Sequence, residues 1–183
     1  MMVVAIGLFI WLGIMAYHFH HKSLLFIGID LIWIIIAGVV VVRWTEPLSQ
    51  LLSLWVPYPN ITLESSLTLY QGSALRGIPD VFIRSCASLL MMGGLWLLRA
   101  FVYQWLRPLE QKDHSQKIVG ALFGIAVGWG VVATLLSWLS LINMTAIQQL
   151  FTTQPLLGWI VTHTPIISTH LLPIWFGGMV PFL

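Results

Sequence analysis

The stretch from Ser23 to Val42 reads SLLFIGIDLIWIIIAGVVVV, and Asp30 is its only charged residue. An α-helix rises about 1.5 Å per residue, so this stretch is long enough to match the ~30 Å hydrocarbon core of a bilayer. Lipid offers no hydrogen-bond partner to an open backbone. The stretch is therefore predicted to be a transmembrane helix.

The rest of the chain has the same character. Of its 183 residues, 58% are hydrophobic and 8% are charged, whereas soluble domains carry roughly 25% charged residues. This composition excludes a soluble globular domain and a disordered chain, and the single cysteine, Cys86, excludes a disulfide scaffold. The net charge is +2 without a basic run, so no nucleic-acid partner is expected. We predict an all-α integral membrane protein surrounded by the lipid bilayer.

Three further apolar stretches bring the predicted number of spans to four. They cover residues 2–17, 81–106 and 118–142, beside the stretch 23–42, in a single membrane domain of residues 1–183. The first is about 24 Å long and can span if the bilayer thins locally. It has no Lys or Arg before its apolar run and no small-residue cleavage site after it, which favours a retained anchor over a signal peptide.

The 43–80 loop is predicted to contain a short amphipathic helix at the membrane surface. In the segment Thr45–Val56, Thr45 is placed to cap the helix and Pro47 lies in its first turn. The mixed, turn-rich segment 61–79 is assigned to a loop.

The tail 143–183 is predicted to form short interfacial helices. Thr145 and Gln148 have the spacing of a capping box, and Pro155 is placed to begin a second helix. Trp159 and Trp175 are expected at headgroup depth. Histidine and proline residues in and beside 156–176 argue against a fifth span there, although hydropathy leaves that crossing open.

The distribution of basic residues predicts the orientation in the membrane. Lys22, Arg107, Lys112 and Lys117 lie in the two short loops, against Arg43 and Arg76 on the other side. The positive-inside rule therefore places the short loops in the cytoplasm. Both termini and the long 43–80 loop are then extracytoplasmic.

Four segments occur in an order that carries a resemblance. They are HFHHK at 18–22, VPYPN at 56–60, IVGALFGIAVG at 118–128 and IVTHTPIIS at 160–168. Together they resemble the colicin V production (CvpA) family, in particular its Gram-positive branch, over nearly the whole chain. Other branches often place Arg before the third glycine, where this chain has Val127, so no role of that Arg is carried over.

The resemblance implies a multi-pass protein of the bacterial cytoplasmic membrane that is needed to produce a secreted bacteriocin. Some relatives carry the four-helix unit as an anchor for an extracytoplasmic protease, which agrees with a C-terminus that faces outward. The resemblance implies no catalytic residue and no cofactor. It favours membrane or secretion-related protein partners, and a homo-oligomer is left open.

Two sets of residues are candidates for structural or functional roles inside the membrane. Gly120, Gly124 and Gly128 lie four apart and share a helix face, where small residues allow another helix to approach closely. We expect them to form a packing surface within the bundle, with Gly93-Gly94 as its candidate partner. Asp30 and Arg99 each lie seven residues from the cytoplasmic end of their span, at a depth of about 10 Å. We expect them to pair, either to fix helix register or as part of an ion path.

Metal and catalytic sites receive little support. His18, His20, His21 and His114 lie beside basic residues without a nearby Cys, so neither a metal site nor a cofactor is predicted. The chain has none of the sequence motifs of serine hydrolases, zinc proteases, nucleotide-binding loops or thiol oxidoreductases, and we expect no enzyme. A non-enzymatic scaffold is the preferred function. A small transporter or channel subunit is the alternative, and a vitamin-importer subunit, usually of six spans, is less suitable.

Overall fold

The computed structural model describes residues 2–56, 67–70, 77–106, 117–165 and 167–177, and these ranges contain helices and turns but no strand. The first four helices hold the apolar stretches. The C-terminal tail follows as three short α-helices interrupted by one turn of π-helix at Ile167–Leu171. The helices in chain order are α1 (Met2–His20), α2 (Leu24–Leu52), α3 (Ile78–Leu106), α4 (Lys117–Ser140), α5 (Thr145–Thr153), α6 (Pro155–His163) and α7 (Leu172–Trp175).

Three helices, α2, α3 and α4, are long and apolar enough to cross a membrane. Two have 29 residues and the third has 24, which is about 43 Å and about 36 Å at 1.5 Å per residue. Helix α1 is also apolar but shorter. The prediction of an all-helical fold is confirmed for the described residues, and three of the four predicted spans meet the length and hydropathy that crossing requires.

Large apolar side chains on these helices are exposed, as lipid contact requires. Phe9 on α1 is 74% exposed, Leu97 on α3 is 66% exposed, and Leu122 on α4 is 61% exposed. An apolar surface of this extent would be an aggregation liability in water, but in a bilayer it is the surface that contacts acyl chains.

The chain forms two compact units. Unit I contains Met2–Arg43 and Leu89–Trp129. In it, the Trp11 indole on α1 donates a hydrogen bond to the Gly128 carbonyl on α4 at 3.2 Å. The Trp33 indole on α2 likewise donates to the Leu95 carbonyl on α3 at 3.1 Å. Apolar helices are thus joined by indole hydrogen bonds as well as by packing.

Unit II contains Trp44–Ser88 and Gly130–Leu183. Its core is formed by residues from α3, α4, the segment 67–70 and the tail helices, and it contains polar as well as apolar side chains. The fully buried side chains include Trp175, Tyr70, Ile78, Leu141, Ile160, Leu172, Val161, Ser85, Ser88, Ser137 and Ser140.

The predicted separate helix after Thr45 is wrong, because α2 continues through Pro47 to Leu52. Thr45 does not cap a helix; its hydroxyl is 3.0 Å from that of Ser88 on α3, in a buried contact. A proline inside a helix lacks the N–H that would bond to the residue four before it, and its ring crowds that residue's carbonyl. The neighbouring tertiary contacts keep the helix continuous across that gap.

The tail contains the two predicted short helices, and Pro155 begins α6 as expected. The predicted capping box is wrong: Met144 is the N-cap of α5 and no side chain caps it. The Gln148 side chain is instead buried and bonded to other parts of unit II. Of the two tryptophans predicted at headgroup depth, Trp159 is 51% exposed, whereas the Trp175 side chain is fully buried inside unit II and does not reach the protein surface.

Candidate functional site

A buried charge cluster, formed by Lys22, Asp30 and Arg99, lies in unit I. Arg99 on α3 donates two hydrogen bonds to Oδ1 of Asp30 on α2, the one from Nε at 2.9 Å. Lys22, in the turn before α2, donates to the other oxygen, Oδ2, at 3.0 Å. The Asp30 side chain is only 3% exposed. The structure therefore brings the two predicted residues together and adds a third.

In the sequence, Lys22 indicates only the predicted orientation, as one of the basic residues of the short loops. Its relation to Asp30 follows from a spacing of eight residues, about two helical turns, which places a side chain at the start of α2 above one deeper in the same helix. The lysine side chain is long enough to reach down this face. A basic residue two turns before an acid within a span is therefore the signal that would have identified it.

Aromatic rings complete the surroundings of the two cations. Lys22 Nζ lies 4.0 Å from the ring centroid of Phe19 and 5.1 Å from that of Tyr103. The Arg99 guanidinium carbon lies 5.2 Å from the same Tyr103 centroid. Ring faces carry partial negative charge and attract cations, most strongly where water is absent. The cluster thus combines a carboxylate and aromatic faces to hold two positive charges away from lipid.

The hydrogen bonds of Asp30 are those of a fixed structural contact. Both carboxylate oxygens of Asp30 already accept bonds from cationic donors, and charge-assisted bonds of this kind are stronger than neutral ones. Removal of one charged side chain would leave its partner uncompensated in a low-dielectric site, which is strongly destabilising. The cluster therefore holds α2, α3 and the α1–α2 turn in one register.

The three glycines of α4, here called the glycine seam, lie against α1. A Cβ added at Gly120 would lie 2.4 Å from the Phe19 carbonyl oxygen, and one added at Gly124 would lie 2.5 Å from that of Met15. At Gly128 the nearest atoms belong to the Met15 side chain. Real Cβ atoms do not lie this close to other atoms. The backbones of α1 and α4 can therefore approach this closely only where α4 has glycine.

The partner of the glycine seam is α1, and the suggested pairing with Gly93-Gly94 is wrong. A Cβ at either of those glycines on α3 would meet nothing within 4 Å. Among the described residues the Phe19 ring also contacts that of Phe123, with centroids 5.5 Å apart, next to the seam.

The histidines near the α1–α2 turn do not form a metal-binding group. Among the described residues, no three His, Cys, Asp or Glu side chains lie close enough to hold a metal ion. His21 packs its ring against those of Tyr17 and His20, with both centroid distances at 4.9 Å. His114 lies outside the described residues.

Unit II contains a network of buried polar side chains that the sequence did not indicate. The Tyr70 hydroxyl is 2.8 Å from that of Ser140. Gln148 donates to the carbonyls of Ser140 and Ile142, and its own carbonyl oxygen accepts from the Thr68 backbone amide at 2.9 Å. Burial raises the pKa of Tyr70 to about 12, although its bond with Ser140 acts in the opposite direction. The segment 67–70 is thereby fixed to α4 and α5.

A second group of buried hydrogen bonds centres on Ser88 of α3. Its hydroxyl donates to the Arg84 carbonyl and accepts from the Trp175 indole at 3.1 Å. The same hydroxyl is also 3.0 Å from that of Thr45 on α2. This one serine joins α2, α3 and the tail.

Comparison with known proteins gives no assignment, since no family model, no curated protein and no solved structure matches the chain.

Proposed function

We propose that this chain is a non-enzymatic scaffold of the bacterial cell membrane that supports bacteriocin or toxin production, secretion or envelope processes by contacting partner proteins. The class of process comes from the resemblance to the CvpA family. The observation that carries the scaffold role is the state of Asp30, which is 3% exposed and has both oxygens bonded to cations. An acid held in this way supports a structural role.

The alternative function, a small transporter or channel subunit, is favoured by the presence of ionisable residues inside predicted spans, which often mark ion pathways. A conducting carboxylate must meet water and exchange partners during each cycle. Asp30 would have to release Lys22 or Arg99 to do so, and each release would leave a buried charge uncompensated. The geometry therefore supports the scaffold over the transporter.

A flux measurement on the protein reconstituted in liposomes distinguishes the scaffold from the transporter. Purified protein is reconstituted alone, an ion or pH gradient is imposed, and flux is followed with an entrapped indicator dye. A scaffold predicts the same leak as empty liposomes for the wild type and for Asp30→Asn. A wild-type flux that Asp30→Asn abolishes would overturn the proposal in favour of transport.

Partner contact is the positive test of the scaffold. Membranes from cells that express the tagged chain are crosslinked and the chain is recovered by affinity. We expect the same membrane or secretion-related proteins to be recovered in repeated experiments, and not with an unrelated tagged four-span protein. Recovery of the chain without any such protein under both mild and strong crosslinking would contradict the scaffold.

The proposal includes four spans with both termini extracytoplasmic. Helix α1 has 19 residues, about 28 Å, which is close to the thickness of the hydrocarbon core. It lies along the glycine seam of α4, itself long enough to cross. This contact supports α1 as a fourth span beside α4.

Cysteine labelling of intact cells tests that topology. In a Cys86→Ser background, His21→Cys and Met144→Cys each introduce one thiol at an exposed position. We expect a membrane-impermeant maleimide to label Met144→Cys in intact cells, and His21→Cys only after permeabilisation. The reverse pattern would mean the opposite orientation, and labelling of both from outside would mean that not all of α2, α3 and α4 cross. A cysteine added before Met1 tests α1: we expect it to be labelled in intact cells, and labelling only after permeabilisation, as for His21→Cys, would mean that α1 does not cross.

A further inference from the structure

A shallow groove in unit I lies on the surface shared by α1 and α4. Its volume is about 300 Å³, and its lining residues are Ala16, Tyr17, His20, His21 and Ala121. Two of the five are alanines, which leave room for another molecule between the helices. Tyr17 is 72% exposed, so the groove is open at the outer surface of the bundle.

His20, one of the lining residues, carries a side-chain nitrogen without a partner. Its Nδ1 is shielded from solvent and makes no hydrogen bond with any residue that the structure describes. Buried polar atoms in proteins are nearly always hydrogen-bonded, and an exception calls for an explanation such as an absent ligand. Nδ1 is closed off from the groove in this ring orientation, so a phosphate or ester oxygen would accept its hydrogen only after the His20 ring turned toward the groove.

A cationic side chain lies at the N-terminal end of α4, close to the residue that α4 contributes to the groove. Lys117 is the first residue of α4 and lies one turn before Ala121, on the same helix face. It is exposed, and it has no ion pair or hydrogen bond within the part of the chain that the structure describes. Side chains lean toward the N-terminus of their helix, so the ammonium group extends past the groove toward the end of the span.

We propose that this groove binds an anionic phospholipid, with an acyl chain beside Ala16 and Ala121 and the phosphate near His20 and Lys117. The location rests on the proposed four-span topology, which puts this end of α1 and α4 in the cytoplasmic leaflet. That leaflet carries the anionic lipids, and each nearby Lys or Arg strengthens their attraction. Tyr17 is the kind of amphipathic ring that lies at the headgroup level.

The proposal predicts lipid selectivity in the purified full-length chain. In a neutral detergent, native mass spectrometry is used to titrate phosphatidylglycerol and, separately, phosphatidylcholine. We expect tighter binding of phosphatidylglycerol. Lys117→Gln should weaken it about fivefold, the effect of one interfacial cation, and Ala121→Phe should weaken it further by filling the groove. Arg43→Gln removes an exposed cation of the same unit that is not part of the groove, and should leave binding unchanged.

Several results would overturn the proposal. Equal binding of the two lipids, or unchanged phosphatidylglycerol affinity in both Lys117→Gln and Ala121→Phe, would remove the groove as an anionic lipid site. Complete displacement of the lipid by inorganic phosphate would assign the site to a free anion. Lys117 is exposed, so its variant is expected to fold even if Ala121→Phe does not. Binding in detergent is independent of orientation, and cysteine labelling tests the topology separately.

Discussion

Arg99 directs both Nε and Nη2 to a single oxygen of Asp30, and so joins α3 to α2. The second carboxylate oxygen remains available and is taken by Lys22 at 3.0 Å. One buried acid therefore connects two long helices and the turn that precedes one of them. The stability of unit I should depend on this connection and on the glycine seam, because much of its remaining surface faces lipid.

The first prediction concerns the glycine seam. Gly124→Ala places a methyl carbon 2.5 Å from the Met15 carbonyl oxygen, closer than such atoms can approach, so the helices must separate. We expect a loss of about 1–3 kcal/mol, as for other overpacked sites. The loss is measured as the difference in the free energy of unfolding between the variant and the wild type in detergent.

Gly130→Ala is the matched control in the same helix. A Cβ there meets nothing within 4 Å, and alanine favours the helix by up to about 1 kcal/mol. The variant should be as stable as the wild type or slightly more so. Equal losses in the two variants would show that α1 does not lie on the seam.

The second prediction concerns Trp175. Trp175→Phe keeps an aromatic ring in the core but removes the indole donor to Ser88. The serine retains its other partners, so the hydrogen bond accounts for about 0.5–1.5 kcal/mol of the loss. The smaller ring also leaves a cavity at this fully buried site, so the total loss should exceed that amount. Trp159→Phe, at a half-exposed site, should change the free energy of unfolding by less than about 0.5 kcal/mol. A larger loss from Trp159→Phe than from Trp175→Phe would contradict the burial of the tail.

The third prediction concerns pH. The pKa of Tyr70 is raised from its usual 10.0 to about 12, chiefly because burial disfavours the phenolate. The folded state therefore holds this proton more tightly than the unfolded state. The contribution of Tyr70 to the free energy of unfolding is fully present below about pH 10 and is lost as the pH rises toward 12. The loss over this range should be roughly 2–3 kcal/mol.

Comparison with Tyr70→Phe isolates that contribution. Phenylalanine cannot ionise, so the variant should lack this part of the alkaline loss, while the other titrating groups affect both proteins alike. The difference in unfolding free energy between the two proteins is measured at several pH values. A difference that stays constant from pH 9 to above 12 would show that the Tyr70 phenol is not buried.

The sequence indicates the long helices and the depth of the two charges inside them. Hydropathy alone marks α2, α3 and α4, because a span must be apolar over its whole length. Asp30 and Arg99 lie equally far from the ends of their helices, and antiparallel neighbours place such residues at one level. The location of the seam on α4 follows equally from the glycine spacing.

The remaining features depend on contacts between residues far apart in the chain. The Gln148 side chain has the spacing of a capping residue, but its bonds with Thr68, 80 residues away, fix it elsewhere. Helix α2 continues through Pro47, and beside that proline Thr45 contacts Ser88, 43 residues later. Local patterns cannot report such partners, and for that reason the polar core of unit II was not predicted.

The double-mutant cycle of Asp30→Asn and Arg99→Gln tests the central claim most directly. The free energy of unfolding is measured in detergent for the wild type, both single variants and the double variant. Each single change should destabilise the protein. Asp30→Asn should cost more, because it leaves both Lys22 and Arg99 without the carboxylate, whereas Asp30 keeps Lys22 after Arg99→Gln. The double variant should recover part of the loss, with a coupling of about 0.6 kcal/mol and at most about 1.7 kcal/mol, the range found between polar groups inside membranes. Strictly additive losses would mean that Asp30 and Arg99 do not meet, and would contradict the account.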